Sequence, residues 1–99
     1  MPFLYLKTKG WKTGKLHEIE IWYVELNGRF YLVSEKREKS HWVKNILKDP
    51  KISFRVGGQV HDGSGRVVDS KERELASKVR ELMNHAYDWS DGLIIELTP

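Results

Sequence analysis

The chain of 99 residues contains no cysteine. Disulfides, zinc–thiolate sites, iron–sulfur clusters and thiol nucleophiles are thereby excluded together, and a cytoplasmic location is the default expectation. Long apolar runs are missing too. The longest, such as Ile21-Trp22-Tyr23-Val24, fall far short of the roughly 20 residues that a membrane-spanning helix needs. No apolar stretch of the signal-peptide kind opens the sequence. Side-chain amides are scarce (Asn27, Asn45, Asn84 and Gln59) beside plentiful Lys and Glu, a pattern common in heat-stable proteins.

Several catalytic signatures are absent as well. His17, His41, His61 and His85 fall on four separate elements without metal-ligand spacing, so no metal site is expected. There is no Gly-x-Ser-x-Gly elbow. Gly63-Ser64-Gly65 lacks the third glycine and the following helix of a dinucleotide motif. Periodicity puts Asp and Glu mostly on exposed faces, which leaves paired-carboxylate catalysis unsupported. With no catalytic side chain in view, an enzyme of this kind depends on a bound cofactor for its chemistry.

What is present reads as one small globular domain spanning residues 1–99. Aromatics are dense, at 11%, and supply bulk for a modest core. Lys and Arg number 17 against 14 Asp and Glu, a net charge of +3. That mild excess suits an anionic ligand without demanding nucleic acid.

Along the chain, Phe3–Leu6 reads as a strand, and Gly10 and Gly14 mark a turn. From His17 to Leu26 alternation sets Ile19, Ile21 and Tyr23 on one face and Glu18 and Glu20 on the other, a half-buried strand. Asn27-Gly28 then joins it to Arg29–Val33 as a hairpin. Trp42, Val43, Ile46 and Leu47 recur at helical spacing until Asp49-Pro50 stops them. Lys51–Val56, Gly57-Gly58 and Gln59–Asp69 form a second hairpin, in which Gly63 and Gly65 signal a bulge, a bend or a close approach. Asp69, with Glu72 as capping-box partner, opens a helix whose apolar stripe is Leu75, Val79, Leu82, Met83 and Ala86. Leu93–Leu97 is a last strand. Six strands and two helices in this order predict a mainly β fold, a small antiparallel barrel with helices at its side or mouth.

Two segments could carry a ligand. Lys7–Lys15 holds four lysines, two glycines and no acid; it reads either as a phosphate loop or as a solvated polar hairpin. Lys36–Trp42 places basic residues, Ser40 and an aromatic ring just ahead of a helix. That suits a ligand with both a phosphate and a ring, or else forms a charged connection around a core tryptophan. Ser40 is poised to cap that helix or to donate to an anion. A nucleic-acid-binding barrel is a further alternative that the element order disfavours.

Taken together, the segments resemble the deazaflavin-dependent nitroreductase family, within the FMN-binding split β-barrel superfamily that includes pyridoxamine-phosphate oxidase. Thr8–Gly14 resembles its T-T-G-R-K-[ST]-G loop, and Ile21–Val24 its P-L-[WY]-[YF] strand. Leu32–Lys36 is similar to L-V-A-S-K, Trp42–Ile52 to W-Y-x-N-L-x-A-N-P-x-V, and Leu93–Pro99 to the family's closing segment. The resemblance implies a six-stranded antiparallel split β-barrel with two helices, a homodimer, and either F420 or FMN as cofactor. It implies transfer of hydride or electrons to a small electron-poor substrate, with a non-catalytic ligand-binding module as the alternative. By resemblance, Lys12 and Thr13 contact the cofactor phosphate, with Ser34, Lys36, Lys39 and Ser40 nearby. Ile21 and Trp22 line the ring, Trp42 closes the site from the helix, and Tyr87 reaches the substrate mouth. The sequence departs from the pattern where Trp11 and His17 replace arginines, Glu20 replaces a proline, and Glu35–Glu38 replaces a Ser-Lys-Gly-Gly stretch. The family's N-terminal extension has no counterpart here. FMN, with one phosphate, needs fewer positive groups than F420, which adds an acidic tail.

Overall fold

The computed structural model describes residues 3–99. All six expected strands form, the second of them broken at Tyr23 into two segments. Along the chain these are β1 (Phe3–Lys9), β2 (Leu16–Trp22), β3 (Val24–Leu26), β4 (Arg29–Ser34), α1 (His41–Lys48), β5 (Lys51–Val56), β6 (Gln59–Val67), α2 (Arg73–Tyr87) and β7 (Leu93–Thr98), with one 3-10 turn at Arg37–Lys39 before α1. The antiparallel sheet has the order β2-β1-β5-β6-β7-β4-β3. Its two edge segments, β2 and β3, are consecutive in the chain. The break at Tyr23 therefore carries one strand from β1 at one edge to β4 at the other, which curls the sheet into a split barrel.

Both short hairpins take the geometry that their sequences call for. Asn27 and Gly28 have φ of 54° and 77°, and Gly57 and Gly58 have 55° and 86°, the paired positive values of a type I′ turn. Gly63 and Gly65 mark close approach. A Cβ on Gly63 would lie 1.9 Å from the Thr98 carbonyl oxygen, and one on Gly65 would press on Ile46 at 3.3 Å.

Two apolar clusters share the sheet. Leu4, Leu6, Phe30, Leu32, Val43, Ile46, Phe54 and Leu97 fill the barrel with α1 against its end. Val24, Tyr31, Val33, Val68, Val79, Met83, Tyr87 and Ile94 lie between the sheet and α2. Strand β4 serves both, which is why Phe30–Val33 reads as a continuous apolar run rather than an alternation.

Three local expectations are corrected. Asp69 does not cap α2; the helix begins at Arg73. The Glu72 carboxylate does accept the Asp69 N–H at 2.8 Å, but it is also gripped by Arg66 through two 2.8 Å bonds, and the segment before Arg73 stays non-helical. On α2 the buried stripe is Val79, Met83 and Tyr87, while Ala86 is exposed. On α1, Leu47 is 58% exposed and Asn45 is buried in its stead.

Candidate functional site

The end of β2, the end of β4, the first turn of α1 and the C-terminal end of α2 converge on a cleft of about 810 Å³. Eight of the residues singled out from sequence line it: Ile21, Trp22, Ser34, Lys36, Lys39, Ser40, Trp42 and Tyr87. Val33, Glu35, His41, Met83 and Trp89 complete the wall. The volume is typical of a pocket that encloses a ring-bearing small molecule.

One wall is aromatic and stiff. The rings of Trp22 and Tyr87 stack with centroids 4.7 Å apart and planes 5° from parallel. The Tyr87 hydroxyl donates to the Tyr23 carbonyl at 2.5 Å, at the very break between β2 and β3. Burial pushes the Tyr87 phenol up from its ordinary pKa, so it stays protonated through the neutral range. The Phe3 ring lies 6.5 Å from that of Trp22, tilted by 42°.

The end of β4 and the start of α1 give the cleft its polar lining, with Lys36 and Lys39 beside Glu35. Ser34, buried at the end of β4, donates to the Arg37 carbonyl at 2.9 Å. Its one hydrogen is thereby used, so the 2.8 Å contact with Ser40 has the Ser40 hydroxyl as donor. Ser40 therefore occupies the N-cap position of α1 without a side-chain capping bond. The capping role open to it in the sequence is not taken up. The first N–H groups of α1 are left without a side-chain partner from Ser40, and they carry the positive end of the helix dipole. Lys36 and Lys39, both exposed, stand beside them.

Lys12 and Thr13 lie apart from this cleft. They line an adjoining depression of about 460 Å³ with Gly10, Trp11, His17 and Asn45. His41 and Trp42 belong to both hollows, so the start of α1 is the partition between them. Trp11, where the resembling family has an arginine, carries two ammonium groups over its ring: Lys12 Nζ at 4.9 Å and Lys44 Nζ at 5.1 Å from the centroid. Positive charge is kept there by lysines gathered on an indole. Sequence reasoning missed Met83 and Trp89, which reach the cleft only because the α2 C-terminus folds over the end of β4. It missed His41 as well, although its place in the first turn of α1 beside Trp42 was a usable signal.

Among the described residues, no group of three or more His, Asp or Glu could hold a metal ion. None of their helices is long and apolar enough to cross a membrane.

The split-barrel fold together with the family match places the chain among the flavin- or deazaflavin-dependent oxidoreductases of the FMN-binding split-barrel superfamily. Within that class the chain belongs to the F420H(2)-dependent quinone reductase family, whose model matches residues 1–91. Among solved structures it is similar to an F420-H2 dependent reductase, FDR-A, at 25% identity and a TM-score of 0.68 over 97% of this chain and 93% of that one. A domain-swapped dimer is similar at 24% identity and a TM-score of 0.69, over 97% and 79%. The heme storage protein HutZ of Vibrio cholerae shares the fold, with a TM-score of 0.80 at 15% identity over 99% and 81%.

Proposed function

We propose that this chain, acting as one split-barrel domain over residues 1–99, binds reduced F420 in the 810 Å³ cleft and uses it to reduce a small planar acceptor of quinone or nitro type. The observation that carries the reading is the pairing of an aromatic wall (Trp22 stacked on Tyr87) with a cationic one in a member of the F420H(2)-dependent quinone reductase family. These residues fit a tricyclic ring bearing a phosphate. The flat wall suits the ring, and Lys36, Lys39 and the uncapped start of α1 suit the anion. When bound, the reduced deazaflavin supplies the hydride.

The chain's own residues bind, orient and exclude water. Ile21 and Trp22 form the floor for the ring, and Trp42 limits it from α1. Ser34 and Ser40 fix the backbone that presents Lys36 and Lys39. Lys12 and Thr13, from the neighbouring depression, meet the more distant anionic part of the cofactor. Met83 and Trp89 keep the acceptor side apolar, so that local electrostatic interactions are little screened by water. Tyr87 meets the acceptor with its ring, because its hydroxyl is committed to the Tyr23 carbonyl. No side chain serves as a nucleophile.

A homodimer in the cytoplasm is part of the same proposal, supported by the likeness to a domain-swapped dimer; light scattering that returns a monomer removes the dimer from it. The cofactor assignment is tested by titrating the protein with F420 and with FMN, following tryptophan emission. Trp22 and Trp42 line the cleft, so tight binding should quench strongly. Quenching by F420 with turnover of a quinone supports the reading. Quenching by FMN alone moves the cofactor to a flavin, and quenching by neither overturns the proposal.

A further inference from the structure

Asn45 lies in the middle of α1 on its buried face, 2% exposed, where the apolar pattern of Trp42, Val43 and Ile46 calls for another hydrophobic residue. Asparagine is a mediocre helix former, and a buried amide is costly unless both ends are satisfied. Both ends are satisfied by the strand and loop ahead of β2. The side-chain oxygen accepts the Trp11 N–H at 2.8 Å, and the side-chain nitrogen donates to the Thr8 hydroxyl at 2.9 Å. The loop after β1 is otherwise bonded to itself: Gly10 N–H to the Lys15 carbonyl at 2.6 Å, Gly14 N–H to the Gly10 carbonyl at 2.9 Å, and Lys15 N–H to Thr13 Oγ1 at 3.3 Å. It is a small self-consistent unit. Among the described residues the Asn45 amide supplies the hydrogen bond that ties this unit to α1. The first turn of the same helix divides the cleft from the Lys12 depression.

We infer that Asn45 is a positioning residue for cofactor binding. It sets the place of the Trp11–Lys12 loop against α1, and so the reach of the Lys12 ammonium toward the anionic part of a ligand whose ring lies in the cleft. The inference rests on the function proposed above. Lys44, one turn-residue before Asn45, shares the Trp11 ring with Lys12, so releasing the loop also separates two cations that the indole now gathers.

The test uses the full chain with Asn45→Ala, Lys12→Ala and the double variant. F420 affinity is read from tryptophan quenching, and backbone amide exchange is followed at Trp11 and at Leu32 in the barrel. Each single variant should weaken binding about tenfold, the scale of one or two hydrogen bonds or one charge contact. If Asn45 acts through Lys12, the double variant should be no weaker than Lys12→Ala within a factor of about two. Exchange at Trp11 should accelerate in Asn45→Ala while Leu32 stays protected. Should Asn45→Ala not fold, Asn45→Ser, too short to span Thr8 and Trp11 together, takes its place. Effects that multiply in the double variant, or Trp11 exchange that does not change, overturn the inference. A parent protein that binds neither F420 nor FMN defeats the proposed function instead, and Trp11 exchange then still decides whether Asn45 fixes the loop.

Discussion

Glu96 should be the most sensitive polar position in the fold. It lies on β7 beneath α2 and is only 3% exposed. Its carboxylate accepts the Tyr31 hydroxyl at 2.8 Å and the Arg66 guanidinium at 2.9 and 3.4 Å, with Arg29 at 4.0 Å. Arg66 in turn grips Glu72 with two 2.8 Å bonds, and Glu72 holds the Asp69 N–H just before α2 begins. Glu96 thus anchors a chain of contacts that ends at the start of the helix whose other end builds the cleft. The replacement to make is Glu96→Gln, which keeps the shape and removes the charge. It leaves one acceptor for two donors and turns an NH₂ group toward one of them. A lost charge-assisted bond is worth about 1.5–3 kcal/mol. Stranding a fully buried partner would cost about 3–5 kcal/mol, but Arg66 is 46% exposed and retains Glu72, so the lower range applies. The expected loss is about 2 kcal/mol, a fall in Tm of roughly 8–16 °C for a chain of this size. Urea denaturation should move in midpoint and not in slope. A loss under about 0.5 kcal/mol would place the stability of this region in the α2 packing and refute the ionic account.

The same network sets the pH response. Burial alone would raise the Glu96 pKa, but the bonds from Arg66 and Tyr31 outweigh it and hold the carboxyl below its usual value, and Arg66 draws Glu72 down to about 2. Depressed carboxyls contribute stability that is complete above their unfolded pKa and fades as pH falls. Tm should therefore decline between about 4.5 and about 2, and Glu96→Gln should flatten that decline. At the alkaline end, burial and then Glu96 push Tyr31 up to about 12, so stability should drop between about 10 and about 12, with Tyr31 and Tyr87 both titrating late in the ultraviolet spectrum. Tyr87→Phe should cost about 1 kcal/mol by losing the bond to the Tyr23 carbonyl yet keep acceptor reduction within about threefold, whereas Tyr87→Ala should abolish it; equal losses in both would return the hydroxyl to the chemistry. Lys36→Ala and Lys39→Ala should each weaken cofactor binding several-fold, with a shallower salt dependence than the parent; unchanged Kd values in both would remove the cationic wall from the site. Gly63→Ala must push β6 away from the Thr98 carbonyl and should lower Tm by at least 10 °C; a normal Tm would show that the strands slide apart freely.

The parts of the fold that were legible are those whose signals are local. Asn27-Gly28 and Gly57-Gly58 could only turn one way, and the alternation of Ile19 and Ile21 placed β2 correctly. The break at Tyr23 left a weaker mark: Glu18 and Glu20 precede the apolar run Ile21–Val24, and Glu25 after it is out of phase with them. What the sequence does not show is the change of pairing partner there, from β1 to β4, a fact about strands distant in sequence. The start of α2 was misplaced for a related reason. Asp69 and Glu72 have capping-box spacing, and the Glu72 bond back to Asp69 does form. Arg66, six residues upstream, claims the same carboxylate, and the segment remains a non-helical clasp.

The site divides along the same line. Residues near one another in sequence, such as Ser34, Lys36, Lys39, Ser40 and Trp42, line one cleft because a strand end followed by a helix start brings them together by connectivity alone. Lys12 and Thr13 were grouped with them in the sequence; in the fold they occupy the next hollow, with the His41–Trp42 turn between. What relates the two hollows is a buried amide in α1. An asparagine among Val43, Ile46 and Leu47 is a mismatch between residue type and helical face, and a mismatch of that kind has a physical cause elsewhere in the molecule. Leu47, read as core, faces solvent, and Asn45, passed over, faces inward because its two polar ends have partners waiting on Thr8 and Trp11. The position that broke the pattern is the one that joins the loop to the helix, so in a chain this short the exceptions to binary patterning locate the geometry of the site better than its runs of basic residues do.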